Sequence, residues 1–242
     1  MKKILFTFLA VASFAGAYAQ AGVQLRNDGF SATTNQMFTE LRKKKATEVP
    51  LGTVGSPYID ESFAPCEVYY NDELVGTFYY RHNAVNDEIE IKDNPMPDAE
   101  VSSLATMRQL RIIVKKSGQE ISMQTFETKE DQLRNGYLYA ITGEGDYQLY
   151  QRNKVKFTEG TEAVSSYVRS QPNRFSIFTD YYYSDKDGKV VNFVPSRKGA
   201  FISSFDKSIQ SSLKEYMKEE GLNVKKEEDL VKIFAFLNQQ GV

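Results

Sequence analysis

Apolar and polar residues alternate along most of the chain between residues 51 and 195. In the stretch Asn86–Lys92, for example, Ile89 and Ile91 alternate with charged residues. A period of two is typical of a β-strand that buries one face. The pattern therefore predicts a mainly β domain over residues 51–195.

Several of these alternating runs come in pairs, and each pair flanks a turn signal. The pairs are Cys66–Tyr70 with Glu73–Tyr80, Gln109–Lys115 with Glu120–Phe126, Tyr137–Thr142 with Tyr147–Phe157, and Phe175–Tyr183 with Lys189–Val194. Sequential hairpins predict an antiparallel meander of roughly eight or more strands, barrel-like or half-barrel. The fold class is thus expected to be mainly β, within the α+β group.

After Pro195 the apolar period becomes helical, which predicts a separate segment over residues 196–242. Two apolar faces mark two helices, and Gly221 ends the first one. The faces are Ile209, Leu213, Tyr216 and Met217, then Leu230, Ile233, Phe234 and Leu237. Because short amphipathic helices are unstable alone, we expect this helical hairpin to pack on the sheet or on a partner.

Residues 1–19 have the pattern of a signal peptide. Lys2 and Lys3 precede the apolar run Ile4–Ala17, and an A-x-A site follows directly before Gln20. The run is shorter than the ~20 apolar residues of a membrane span, and no later stretch qualifies. We therefore predict export to the periplasm or the outer-membrane periphery of a two-membrane bacterium, or secretion.

Residues 20–50 are polar and weakly patterned. Met37 and Leu41 lie four positions apart, which predicts one short helix over Asn35–Lys45. Pro50 then begins the loop that leads into the β domain.

The charge balance excludes some classes of partner. The full chain carries a formal net charge of −2. Removing Lys2 and Lys3 with the signal peptide makes this about −4. Such a balance favours neither nucleic acid nor an anionic membrane surface.

Two residue types occur once each, Cys66 and His82. One cysteine excludes a disulfide within the chain, and one histidine excludes a metal site built from several imidazoles. No metal site and no cofactor are therefore predicted.

A few short motifs resemble those of a known family. They are Gly55-Ser56-Pro57-Tyr58 with Phe63, Arg81-His82-Asn83 with Asp87–Glu90, and Lys198–Phe201 ahead of the helices. The chain resembles a family of exported proteins of unknown function from Bacteroidetes-type bacteria. The resemblance implies an envelope location and no activity, and it implies no essential role for His82, where many members have tyrosine.

Cys66 and His82 invite comparison with a thiol–imidazole dyad, but the predicted geometry opposes it. With Asn71-Asp72 as the turn, Cys66 faces Thr77 and lies roughly 16 Å from His82. A buried, inert thiol is the favoured interpretation.

Two acidic segments are candidates for an ion or catalytic site. Asp185–Gly188 begins like a calcium loop but lacks the later ligands, so a hairpin turn with left-handed Gly188 is favoured. Glu88 and Glu90, beside Asp87 and Asp93, share a face that fits a solvated surface better than a carboxylate pair. No catalytic residue is assigned, and an enzymatic activity is left open.

Tyrosine is abundant on the predicted strands, and neighbours on a strand point to opposite faces. Tyr181, Tyr182 and Tyr183 therefore cannot all be in one core, and with Tyr79 and Tyr80 they are the predicted ligand- or partner-binding residues. Cross-strand packing of these rings is the alternative.

The function predicted from these patterns is a non-catalytic binding or scaffold protein of the cell envelope. One alternative is a carrier that holds a lipid or another apolar ligand in a β cavity. A hydrolase that uses a carboxylate pair among Asp87, Glu88 and Glu90 is less favoured. The expected partner is an envelope protein or an apolar ligand.

Overall fold

A computed structural model describes residues 42–44, 49–143, 145–163, 169–185, 188 and 190–240. Within these ranges the chain forms eleven β-strands, all in one antiparallel sheet, and three α-helices. The mainly β fold with a C-terminal helix pair is therefore confirmed. The signal peptide and most of the polar N-terminal segment lie outside the described residues.

The helices and strands have the following bounds. The strands are β1 Arg42–Lys44, β2 Ala64–Tyr70, β3 Glu73–Asn83, β4 Glu88–Lys92, β5 Ser102–Leu104, β6 Leu110–Val114, β7 Glu120–Glu127, β8 Leu133–Ala140, β9 Gln148–Thr158, β10 Arg174–Ser184 and β11 Asn192–Phe193. The helices are α1 Lys198–Ser203, α2 Lys207–Glu219 and α3 Glu227–Gln239.

The sheet runs in the order β1-β5-β4-β3-β2-β6-β7-β8-β9-β10-β11 and is not closed into a barrel. Strands β6 to β11 follow one another as a meander, whereas β2 to β5 extend from β2 in the other direction. The chain returns toward β7 just before β11. There Val191 donates to Thr125 O at 2.9 Å and accepts from Glu127 N–H at 2.9 Å.

The β2–β3 hairpin contains a bulge that the sequence analysis did not predict. Asn71 and Asp72 both have positive φ angles, 47° and 65°, as a two-residue hairpin turn with right-handed twist requires. The register shifts between Val68 and Tyr69, so Cys66 pairs with Phe78. The predicted pairing of Cys66 with Thr77 is wrong because the extra residue moves every later partner by one position.

The predicted helix over Asn35–Lys45 is wrong where it can be compared. Arg42–Lys44 is extended and pairs with β5, and the rest of that prediction lies outside the described residues. The β5 edge offers backbone hydrogen bonds that a short, weakly patterned segment cannot match by itself. Arg42 also forms an ion pair with Asp93 at 2.8 Å.

The helices cover one face of the sheet's C-terminal half. Their predicted apolar faces are confirmed: Ile209, Leu213 and Met217 of α2 are buried, as are four residues of α3. They pack with Leu149 and Tyr183 of the sheet in one apolar cluster. Within the described part of the chain, no helix is both long enough and apolar enough to cross a membrane.

Candidate functional site

The turn between β3 and β4 inserts between two strands of the distant half of the sheet. Strands β8 and β9 pair at Tyr139 with Gln151 and at Ala140 with Tyr150, and then diverge. Beyond that point Val155 of β9 donates its N–H to Ala84 O at 3.1 Å. The β3–β4 turn, residues 84–87, therefore takes the place beside β9 that β8 leaves.

Local hydrogen bonds shape this turn. The side-chain oxygen of Asn83 accepts from the backbone N–H groups of Val85 and Asn86, at 3.3 and 3.4 Å. Asp87 has a φ of 55°, a left-handed conformation that Asp tolerates better than most residues. The sequence Asn-Ala-Val-Asn-Asp thus forms a tight turn that ends with the Asp87 carboxylate between β8 and β9.

His82 and Asp87 bring a hydrogen-bonded network into the gap. His82 Nε2 lies 3.1 Å from one Asp87 oxygen, and Arg152 of β9 donates to the other at 3.0 Å. His82 Nδ1 lies 2.7 Å from the Tyr139 hydroxyl. An ionised carboxylate can only accept, so Nε2 carries a proton. In the neutral tautomer this leaves Nδ1 as the acceptor of the Tyr139 hydroxyl. We refer to His82, Asp87, Tyr139 and Arg152 as the polar junction.

The polar junction alters the proton affinity of its acidic members. Burial alone would raise the pKa of Asp87, but the hydrogen bond from His82, the positive charge of Arg152 and the hydrogen bond from Arg152 lower it overall. Burial raises the pKa of Tyr139 well above its usual range, although a hydrogen bond from the Asn153 side chain opposes the rise. Asp87 is therefore an anion and Tyr139 a neutral phenol at neutral pH.

Gly136 of β8 makes room for the polar junction. A Cβ atom at this position would lie 2.5 Å from an Asp87 carboxylate oxygen and 3.1 Å from Arg152 Nε. Both distances are shorter than van der Waals contact. Only glycine lets the strand pass this close to the ion pair.

A cavity of about 300 Å³ opens beside the polar junction. Two of its lining side chains are aliphatic and the others are polar or aromatic with a polar group. The lining residues are Ile59, Asp60, Ser62, Ala64, Tyr80, Arg81, His82, Gln119, Tyr139, Gln151 and Asn153. We refer to this space as the polar cavity.

Arg81 fixes the outer wall of the polar cavity. Its guanidinium donates to Glu90 at 2.6 Å and stacks over the Tyr58 ring, 3.5 Å from the centroid. A third contact, from Nη1 to Glu61 O at 3.3 Å, completes the attachment of the segment that carries Asp60. The wall is thus held by an ion pair, a ring contact and a backbone hydrogen bond.

This ion pair corrects the expectation for the acidic face of β4. Glu90 is 2% exposed and is not part of a solvated surface. Lys92, on the same face, is also buried and donates to Met96 O at 3.0 Å. The face is covered because the segment before β2 folds back over it, which strand alternation alone could not reveal.

A second, larger hollow of about 560 Å³ lies at the β6–β7 and β8–β9 turns. It contains Gln148, Thr142 and Glu227, whereas Gln119 borders both spaces. Glu227 of α3 accepts a hydrogen bond from the Tyr181 hydroxyl at 3.0 Å. We refer to it as the turn hollow.

The tyrosines predicted to bind a ligand or partner lie in different parts of the sheet. Tyr80 lines the polar cavity, and Tyr79 is half-buried on β3. Tyr182 and Tyr183 are buried on opposite faces of β10, and Tyr181 is half-buried against α3. Tyr182 and Tyr183 pack in the interior, because the helices cover one face of β10 and Phe126 and Phe193 cover the other. The binding role predicted for Tyr181–Tyr183 stays a prediction.

The remaining candidates have structural roles or fall partly outside the described residues. Burial raises the pKa of the Cys66 thiol to about 12, and Cys66 lies in an apolar cluster, so it is inert as a nucleophile. Gly188 has the predicted positive φ, 57°, but two residues of its turn are outside the described ranges. Across the described residues, no three His, Cys, Asp or Glu side chains are grouped to hold a metal ion.

Comparisons of the chain with models of protein families, with curated proteins and with solved structures found no match. The site is therefore interpreted from its own residues. The resemblance to an exported family stays a prediction.

Sequence reasoning missed Tyr139, Gln151 and Asn153 as site residues. A signal was present, because Gln151 and Asn153 interrupt the face of β9 that also carries Leu149 and Val155. Two amides on an otherwise apolar strand face need partners when that face is buried. Their partner across the sheet could not be identified without the topology.

Proposed function

We propose that this protein is a non-catalytic binding protein of the bacterial cell envelope that holds a small polar ligand in the polar cavity. The observation that carries the proposal is the lining: amides, phenols and charged groups converge there on one space of about 300 Å³. This volume lies at the lower end of the range for small-molecule sites. The envelope location rests on the signal-peptide pattern of residues 1–19.

The lining is fixed before any ligand arrives. His82 and Tyr139 are nearly buried and bonded to each other, and Arg81 is held between Glu90 and the Tyr58 ring. Side chains that are already ordered lose little conformational entropy on binding. This preorganisation supports recognition of one particular ligand shape.

The same contacts favour binding over catalysis. Both ring nitrogens of His82 are occupied, one by Asp87 and the other by Tyr139, so neither is free to take a proton from a substrate. Because its pKa is raised, Tyr139 stays protonated at neutral pH and cannot serve there as a base. The carboxylate of Asp87 is held by Arg152 and is not available as a nucleophile.

A polar ligand is favoured over the apolar carrier cargo that was the alternative. A lipid would cover the Tyr80 hydroxyl and the Gln151 amide, which line the polar cavity, and would offer them no hydrogen-bond partner. Ile59 and Ala64 are the aliphatic side chains among the residues that line the polar cavity. A scaffold role through an envelope protein stays open beside the binding role.

The test is a comparison of two glutamines on the same strand. Gln151 lines the polar cavity and Gln148, three residues earlier on β9, lines the turn hollow. The purified protein is mixed with the small-molecule fraction of a bacterial envelope extract and examined by native mass spectrometry. We expect a mass bound to the unmodified protein. Gln151→Ala should lower the affinity for this molecule about tenfold, as the loss of one or two hydrogen bonds predicts.

Gln148→Ala is the matched control and should leave that binding unchanged. A ligand lost equally from both variants, or from Gln148→Ala alone, contradicts the assignment of the site. A protein that binds nothing from the extract contradicts the proposed function.

A further inference from the structure

The chemical class of the ligand can be read from the hydrogen bonds that the lining has already made. The first step concerns the Tyr139 hydroxyl. Asp87 holds a proton of His82 on Nε2, so in the neutral tautomer Nδ1 accepts and the proton of Tyr139 is used at 2.7 Å. Tyr139 therefore has no proton left to give a ligand.

The second step concerns Asn153, which approaches the same hydroxyl. Its side-chain oxygen accepts from Gln151 at 3.0 Å and from Thr179 at 3.1 Å. The amide nitrogen therefore points away from those two donors, and its hydrogen bond to Tyr139 is a donation. The Tyr139 oxygen thus gives one hydrogen bond and receives one, and it has one acceptor position left for the cavity.

The rest of the lining adds both acceptors and donors. Gln119 donates its amide nitrogen to Ala140 O at 3.3 Å, which leaves its oxygen as an acceptor. Asp60 contributes a carboxylate at the rim. Tyr80 and Gln151 each have a further N–H or O–H that can donate to a ligand.

Apart from the Asp60 carboxylate at the rim, the charges of the lining are balanced. Arg81 is neutralised by Glu90 directly behind it, and all three of its guanidinium nitrogens already donate to Glu90 or to Glu61 O. Two of the five N–H donors of Arg81 are still open, but its charge is already paired with Glu90, so an anion would have to compete with that carboxylate. An ammonium group could satisfy Asp60 and Tyr139 but would leave the donors of Tyr80 and Gln151 without an acceptor.

The geometry points to a neutral polyhydroxyl ligand, a sugar, one hydroxyl of which donates its proton to the Tyr139 oxygen. A hydroxyl both donates and accepts, so a ring of hydroxyls satisfies acceptors and donors that alternate around one cavity. Tyrosine rings and planar amides also supply flat, ordered surfaces for a sugar ring. This inference rests on the proposed function and specifies its ligand.

The experiment titrates the purified protein with defined probes, followed by NMR spectra of its ¹⁵N-labelled amides. The sugars are glucose, galactose, mannose, xylose and N-acetylglucosamine, and the comparison probes are butylamine and hexanoate. We expect at least one sugar to bind and to shift the amide signals of Gln151 and Asn153. Among the monodeoxy analogues of that sugar, one should bind about three- to tenfold more weakly through loss of its bond to Tyr139.

The Tyr139→Phe variant tests whether the sugar hydroxyl that is missing from this analogue binds to Tyr139. In this variant the affinity for the parent sugar should fall by the same factor. The monodeoxy analogue should then bind no more weakly than the parent sugar. Tyr137→Phe is the control, because among the described residues the buried Tyr137 hydroxyl has no hydrogen-bond partner. If Tyr139→Phe does not fold, the monodeoxy series on the unmodified protein still decides.

The outcomes separate the two proposals. Binding of butylamine or hexanoate but of no sugar overturns this inference and leaves the proposed function standing. A Tyr139→Phe variant that still discriminates the monodeoxy analogue also overturns it. Binding of no probe and of nothing from the envelope extract overturns both.

Discussion

The helical cap and the polar junction are two regions of the fold that are held together by opposite means. Under the helices, Phe201, Phe205, Phe234 and Tyr183 pack ring against ring with centroids 5.0 to 6.4 Å apart. At the polar junction, the contacts are hydrogen bonds of 2.7 to 3.1 Å between four polar side chains.

The difference separates stability from specificity. Burial of apolar surface stabilises the cap in proportion to the buried area, and this interaction has no preferred direction. The polar junction gains less net free energy, because each group gives up hydrogen bonds to water, but it determines where every proton lies. We therefore expect the cap to dominate unfolding experiments and the polar junction to dominate ligand and pH experiments.

The largest effect is expected for Phe234→Ala in α3. Phe234 is fully buried and touches three other aromatic rings, so its removal leaves a cavity that the neighbours cannot fill. The free energy of unfolding in urea should fall by about 3–5 kcal/mol. This loss should be the same at pH 7 and at pH 5, because Phe234 packs within an apolar cluster.

Val231→Ala on the same helix is the control for that prediction. Val231 is 36% exposed, and its truncation should change the free energy of unfolding by less than about 0.5 kcal/mol. Equal losses in the two variants would mean that α3 does not form the cap's core in solution.

A smaller effect is expected for Gly136→Ala beside the polar junction. The new methyl group must displace the Asp87 carboxylate or the Arg152 side chain, so the free energy of unfolding should fall by about 1–3 kcal/mol. Gly143→Ala, at a site where a Cβ meets no atom within 4 Å, should cost far less. A Gly136→Ala protein as stable as its parent would contradict the close approach of β8 to the ion pair.

The smallest effect is the acid dependence of stability contributed by Asp87. Its pKa is lower in the folded chain than in the unfolded chain, where a value near ~3.9 is expected. Ionised Asp87 therefore stabilises the fold above about pH 4, and that contribution is lost as the pH falls through the lower, folded-state pKa.

Asp87→Asn isolates this contribution from the other carboxylates. Between pH 5 and pH 3, the parent should lose more of its free energy of unfolding than the variant does. Parallel loss in the two proteins would show that Asp87 is not held by His82 and Arg152. Phe234→Ala should follow the parent's pH dependence, which sharpens the contrast between cap and polar junction.

Local patterns predicted much of the fold. Strand alternation located the paired runs around Asn71-Asp72 and Ser117-Gly118, and the helical period identified the buried residues of α2 and α3. Those features depend on neighbours in sequence. Strands β1 and β5 are three residues each and were missed, because so short a run has no measurable period.

The candidate site could be predicted only in part. The place of Tyr80 on a strand and the charge of Asp87 mark both as candidates, but nothing in the sequence connects either residue to Tyr139 or Arg152. The connection depends on two strands diverging and a distant turn entering between them. The bulge at Val68 and Tyr69, which shifts the register of the hairpin that carries His82, has no clear sequence signal either.

The insertion of the β3–β4 turn has a consequence for the order of events when a new chain folds. Asp87 and Arg152 are 65 positions apart, so the turn is synthesised well before the strands that receive it. Closing so long a loop is slow compared with forming the local hairpins. An apolar turn would be exposed until β8 and β9 have been synthesised and could promote aggregation during that time. A turn that ends in asparagine and aspartate stays hydrated until these strands form.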